Sequence, residues 1–154
     1  MMQYDQGSLF SGASFMTLNP FHLAIPVHDL ASARAFYGDL LGCGVGRDAP
    51  EWVDFNFFGH QLSVHLSKEA VHSIAANSVD GKSVPIRHFG IVLPWDDWQI
   101  LADRMTGLNI DFIIAPTIRF KGKVGEQATM FFSDPSGNAL EFKAFKDISR
   151  LFAR

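Results

Sequence analysis

His22-Leu23-Ala24-Ile25-Pro26-Val27 and His88-Phe89-Gly90-Ile91-Val92-Leu93 are two versions of one phrase. Each opens on a histidine, places a small residue two positions later and follows it with isoleucine in an apolar, strand-like run. A second pair of matching segments closes each half: Gly59-His60-Gln61-Leu62-Ser63 and Gly137-Asn138-Ala139-Leu140-Glu141. Two copies of one unit set His22, His88 and Glu141 at related places on paired strands. Two imidazoles and a carboxylate are the donor set of a divalent metal site with open positions.

Working outward from the repeats, each half has the order β-α-β-β-β. In the first, Asp29 is placed to cap a helix from about Leu30 to Leu41, with Leu30, Ala33, Phe36, Tyr37, Leu40 and Leu41 on one face. Gly42 and Gly44 stop it. Trp52 to Phe58 and Gln61 to Leu66 form a hairpin about Gly59-His60. Residues 67–85 are polar and read as the connection between halves. In the second half, Ile86 to Leu93 is a strand. Pro94 to Gly107 carries a helix with Trp98, Leu101, Ala102 and Met105 inward, and Asp111 to Ile118 is a strand. Thr129 to Ser133 and Asn138 to Phe145 then flank the turn Asp134-Pro135-Ser136-Gly137. Helices laying apolar faces on sheets imply an α+β fold.

Bulk properties narrow the partners. A 154-residue chain suffices for a single domain with a full core, here expected over 19–147, with modules at 20–67 and 85–146. Residues 1–18 read as a flexible N-terminal extension and 148–154 as a C-terminal tail. The net charge of −3, without a basic stripe, argues against nucleic acid as a partner. No segment reads as a signal peptide or membrane span, and the single cysteine, Cys43, fits a reducing, cytoplasmic setting. Cys43 lies between two glycines without an adjacent base and reads as a packing residue. Fifteen phenylalanines, most on expected strands, supply a core and the walls of an apolar cavity for a small-molecule substrate.

The paired modules, the leading histidines and the ending Asp134-Pro135-Ser136-Gly137-Asn138-x-x-Glu141 resemble the vicinal oxygen chelate superfamily, over roughly residues 20–146. That superfamily includes glyoxalase I, extradiol dioxygenases, methylmalonyl-CoA epimerase, fosfomycin-resistance enzymes and bleomycin-binding proteins. The resemblance implies two βαβββ modules forming an incomplete eight-stranded barrel around a metal held by His22, His88 and Glu141. Glyoxalase-like members supply a fourth protein ligand at the position occupied here by Ser63, a poor ligand. A three-ligand site is therefore expected, similar to the iron(II) site of extradiol dioxygenases, with Mn(II) next and Zn, Ni or Mg as further choices. The reading that follows is a metal-dependent, dioxygenase-like oxidoreductase acting on a small aromatic or vicinal-dioxygen substrate. Its alternatives are a metal-dependent glyoxalase, epimerase or thiol-transferase-type enzyme of the same fold, and a non-catalytic drug-binding protein.

Further residues complete the candidate site. His65 shares a strand face with Gln61 and Ser63 and ranks first as the acid–base group, with His60 second. Arg119, opening the cationic stretch that holds Lys121 and Lys123, is a candidate for substrate contact, with Ser63 and Phe131. Lys121 and Lys123 read as solvated, as do His28 and His72. The resemblance implies a tyrosine on the penultimate strand, and the corresponding position holds Phe131, which has no hydroxyl. Open sheet edges favour a homodimer, and the site is either intrachain or shared between subunits.

Overall fold

The computed structural model describes residues 18–68, 76–79 and 81–153; most of the N-terminal extension and His72 lie outside the described residues. The first module contains β1 (His22–Val27), helix α1 (Leu30–Leu40), β2 (Gly44–Ala49), β3 (Trp52–Phe57) and β4 (His60–Leu66). The connection between modules is not all loop: β5 (Ala76–Val79) and β6 (Lys82–Pro85) pair antiparallel within it. The second module contains β7 (His88–Val92), α2 (Trp95–Gly107), β8 (Phe112–Arg119), β9 (Gln127–Ser133) and β10 (Ala139–Phe145). Residues 148–150 form a short 3-10 turn, where a plain tail was expected, because the Asp147 side chain accepts from Ser149 N.

Each module is one four-stranded sheet, ordered β1-β4-β3-β2 and β7-β10-β9-β8. In both, the first and last strands pair in parallel and the rest antiparallel. Two βαβββ modules are thus present as expected. The sheets do not close into a barrel, and β1 and β7 are left as outer strands of separate sheets.

Strand alternation gives each sheet one apolar and one polar face. Val53, Phe55, Phe57, Leu62 and Val64 point one way from the first sheet, and Met130, Phe132, Leu140 and Phe142 from the second. All of these join a single buried cluster. Between the sheets lies α1, capped by Asp29, whose carboxylate accepts from Ser32 N at 2.7 Å. Its first turn, Leu30–Ala33, is α-helical, and Arg34–Leu40 widens to a π-helix, with Leu41 N bonded to Phe36 O at 3.0 Å. The wider turn buries two adjacent rings against different sheets. Tyr37 lies on Phe55 of the first sheet (centroids 5.4 Å) and Phe36 meets Phe132 of the second edge-on (6.1 Å). Helix α2 buries Trp98, Ala102 and Met105 at one-turn spacings, and the Trp98 indole donates to Phe142 O at 2.8 Å.

A buried carboxylate joins the modules. Asp134, 4% exposed, accepts from Tyr37 Oη (2.8 Å), Ser136 N (2.9 Å), Asn138 N (2.8 Å) and Asn138 Nδ2 (2.8 Å). Asn138 Nδ2 also donates to Pro26 O at 2.9 Å, and Ser136 Oγ accepts from His28 N at 3.0 Å. His28 is therefore not simply solvated; its backbone and ring both meet the second module's turn. Burial, first, and the neighbouring Asp134 carboxylate, second, push the Tyr37 phenol well above its ordinary value.

Two outcomes follow from this packing. A Cβ on Gly90 would lie 1.6 Å from the Glu141 carbonyl oxygen, so Gly90→Ala forces β7 and β10 apart and lowers stability by about 2 kcal/mol or more in urea unfolding. Gly107→Ala, which meets nothing within 4 Å, is the matched control and leaves stability level or slightly raised. Tyr37→Phe removes a donor from a buried carboxylate and costs about 1.5–3 kcal/mol at neutral pH. Because the folded phenol's pKa is raised, its contribution is fully present below the unfolded value near pH 10 and is lost as pH rises through the folded value. The wild-type denaturation midpoint therefore drops more steeply above about pH 10 than that of Tyr37→Phe.

Candidate metal centre

The polar faces of both sheets lie opposite the shared core, and all three candidate metal ligands stand on them. Glu141 is directly in register with Gly90 on one side and Phe131 on the other. Its side chain is 14% exposed. Oε1 accepts from Thr129 Oγ1 at 2.7 Å and lies 3.7 Å from Lys143 Nζ, while Oε2 lies 3.3 Å from His88 Nε2. The other imidazole nitrogen, His88 Nδ1, is 2.7 Å from Pro85 O. A carbonyl oxygen only accepts, so Nδ1 carries a proton, and the ring is held with Nε2 turned to the Glu141 carboxylate.

A cavity of about 480 Å³ opens over this pair, lined by His88, Glu141, Phe131, Thr129, Lys143 and Arg119 among others. The Phe131 ring meets His88 edge-on, 5.0 Å between centroids, and the Arg119 guanidinium lies over the Phe120 ring at 5.1 Å. Two of the candidate substrate residues, Arg119 and Phe131, are therefore gathered beside two of the candidate ligands. Lys121 and Lys123 are exposed on the following loop.

His22 is not with them. It begins β1 on the first sheet, in register with Gln61, and is exposed. Among the described residues, no group of three or more His, Cys, Asp or Glu side chains is close enough to hold a metal ion. Among the described residues His22 therefore does not join His88 and Glu141: it stands on the other sheet, and the two sheets meet through the apolar faces that form the shared core.

The first sheet's polar face has its own hydrogen-bonded array. His22 Nδ1 is 2.9 Å from Gln61 Oε1, and Gln61 Nε2 donates to Asp54 Oδ2 at 3.1 Å. Asp54 Oδ1 accepts the Ser63 hydroxyl at 2.5 Å, and Arg47 Nη2 lies 3.4 Å from Oδ2. Asp54 is 6% exposed; the Ser63 hydroxyl foremost, then the Gln61 amide and Arg47, hold its carboxyl below the usual carboxylate range against the opposing effect of burial. Ser63 stands where Glu141 stands in the second sheet, and its hydroxyl is committed to Asp54.

The two candidate acid–base histidines separate. His65 is exposed on the face of Gln61 and Ser63, in register with Pro26 and Trp52. His60 has the opposite strand parity. Its Nδ1 accepts from Phe21 N at 2.9 Å, and it lines a small cavity of about 180 Å³ with Phe21, Phe57 and Phe89. It is taken up by structure, away from the polar face. Cys43 is buried, and desolvation pushes its thiol up to about 11, which suits packing and not nucleophilic chemistry.

Asp54, Gln61, Thr129 and the Pro85 carbonyl were not singled out from the sequence. A signal for Asp54 was available. A tight hairpin pairing Phe57 with His60 sets Asp54 opposite Ser63, and Asp54 is the polar alternate in a strand whose other face is Val53, Phe55 and Phe57.

With this geometry in hand, comparisons with known proteins agree on the fold. The family model described as the Glyoxalase/Bleomycin resistance protein/Dioxygenase superfamily matches residues 20–142. A glyoxalase/bleomycin resistance protein/dioxygenase from Alicyclobacillus acidocaldarius is 35% identical, with a TM-score of 0.72 over 87% of this chain and 96% of that one. Lactoylglutathione lyase from Agrobacterium tumefaciens, at 18% identity and TM-score 0.58 over 87% and 96% of the two chains, shares the fold. So does the fosfomycin resistance protein FosX from Listeria monocytogenes, at 16% and 0.59 over 93% and 100%. No curated protein matches the chain. Among the described residues no helix is long and apolar enough to cross a membrane. Repeated modules, a histidine at the head of each, a carboxylate on the last strand and a matching family model over most of the chain lead to one assignment: the protein belongs to the glyoxalase/bleomycin resistance protein/dioxygenase superfamily.

Proposed function

We propose that the protein is a metal-dependent, dioxygenase-like enzyme for a small aromatic or vicinal-dioxygen substrate, with each site completed by two copies of the chain. One observation carries the metal reading. Both leading imidazoles hold Nδ1 against an oxygen acceptor, Gln61 Oε1 or Pro85 O, and so offer Nε2 as a donor. Metal-binding histidines are held in this way. The acceptors come from unrelated positions in the two halves, so the shared outcome is not a by-product of the repeat.

His22 of one subunit, with His88 and Glu141 of the other, would hold the ion. Setting β1 of one copy beside β7 of a second brings two open sheet edges together, each beginning with a ligand histidine. Three protein ligands leave open positions, and Ser63, bonded to Asp54, supplies no fourth. The chemistry a divalent ion supplies at such a donor set is polarisation of two adjacent substrate oxygens and, for Fe(II) ahead of Mn(II), electron exchange with dioxygen. The cavity's Phe131 and Arg119 would seat the ring and an anionic group of the substrate. His65, exposed on the first sheet's polar face, would take a hydroxyl proton onto a ring nitrogen as the substrate binds. Phe131 offers no hydroxyl, so proton handling falls to histidine.

After anaerobic Fe(II) reconstitution, catechol-dependent oxygen uptake is expected, abolished by Glu141→Ala and reduced about 10²-fold or more by His65→Gln. Stoichiometric metal binding with no oxygen consumption on any catechol would discard the dioxygenase reading and leave lyase or transferase chemistry. Site sharing has its own test. A heterodimer of His22→Ala and Glu141→Ala chains regains one intact site, and with it about half the wild-type metal, because one interface then carries no substitution. A heterodimer that binds no metal means each chain builds its own site.

A further inference from the structure

The proton on His22 is controlled two links away. Gln61 can present either its oxygen or its NH₂ to the histidine, and free imidazole exchanges its proton between both nitrogens. Asp54 removes the ambiguity. Its ionised carboxylate can only accept, and Oδ1 is already occupied by the Ser63 hydroxyl. Gln61 must therefore turn its NH₂ to Oδ2, at 3.1 Å. That leaves Gln61 Oε1 facing His22 Nδ1 at 2.9 Å, where only an Nδ1–H fits. The Ser63 hydroxyl foremost, then the Gln61 amide and the Arg47 guanidinium 3.4 Å from Oδ2, hold the 6%-exposed carboxylate in its ionised form.

The second module needs no such device. Ala139 occupies the place of Gln61, and Phe131 that of Asp54, by strand register. His88 finds a backbone carbonyl instead, at Pro85. A carbonyl has one polarity, whereas a side-chain amide has two, so only the first module requires a carboxylate behind its amide. This asymmetry gives a role to a buried charge that the metal-holding residues do not use.

We infer that Asp54 is a positioning residue which, by orienting the Gln61 amide, holds His22 in the Nδ1–H form with Nε2 free to bind metal. The role of that Nε2 rests on the proposed metal site; the orientation of the proton does not. Nitrogen-15 NMR of histidine-labelled, metal-free protein at about pH 8 reads the two ring nitrogens directly. In the wild type, His22 is expected in the Nδ1–H form. Asp54→Ala frees the amide to flip, and His22 moves toward the Nε2–H form. Asp54→Asn keeps the volume should the alanine variant fail to fold, and shifts the proton in the same direction because an asparagine amide meets Gln61 equally well either way round. Added to Asp54→Asn, Gln61→Glu accepts from the asparagine amide, keeps an acceptor at Nδ1 and restores the wild-type signature. Metal affinity of the two Asp54 variants falls about 10–100-fold. A wild-type His22 in the Nε2–H form, or an unchanged tautomer in a folded Asp54 variant, overturns the inference. A wild type that shows this Asp54-dependent tautomer but binds no Fe(II), Mn(II) or Zn(II) instead refutes the proposed function and leaves the positioning role standing.

Discussion

Everything in this molecule hangs on the burial of α1 between two sheets and on the carboxylate that ties it there. Asp134 collects donors from its own turn and from Tyr37, and a carboxylate in that position is tolerable only because its oxygens are so fully engaged. Once Phe36 and Tyr37 are seated on opposite sheets, both sheets must turn their apolar faces inward. Their polar faces then point away from the core. His22 is thereby set on one polar face, and His88 with Glu141 on the other.

That division explains how differently the duplicated faces are furnished. At matching positions the first sheet has Ala24, Ser63 and Asp54, and the second has Gly90, Glu141 and Phe131. In the second, the carboxylate stands next to the leading histidine's strand and an aromatic ring borders an open cavity. In the first, the carboxylate has moved one strand outward, under an amide and a hydroxyl, and is buried. Gly90 belongs to the same design: only hydrogen fits where its Cβ would strike the backbone of Glu141. One face borders an open cavity, and the other carries a hydrogen-bonded array that ends on a single imidazole.

Much of this was legible in the chain. Strand alternation and the turn at Asp134-Pro135-Ser136-Gly137 are local, so the module order and most elements could be read within a few residues. The π-helical widening over Arg34–Leu40 could not, because it answers to rings packing on two sheets at once. Nor could the hairpin of β5 and β6, whose residues are polar enough to pass for a loop. His60 and His65 look equivalent as letters. One residue of hairpin register separates a histidine on the polar face from one bonded to the Phe21 backbone.

By itself the sequence determined the duplication and the α+β modules, which follow from periodicity and turn chemistry, and the superfamily, which follows from the repeated motifs. Only the tertiary structure decided that His88 and Glu141 meet while His22 stands apart, and that Asp54 lies beneath Gln61. The physical reason is that these relations depend on how two sheets share a core. Strand periodicity tells which residues share a face of one sheet, but carries no information about whether two such faces look toward each other or away.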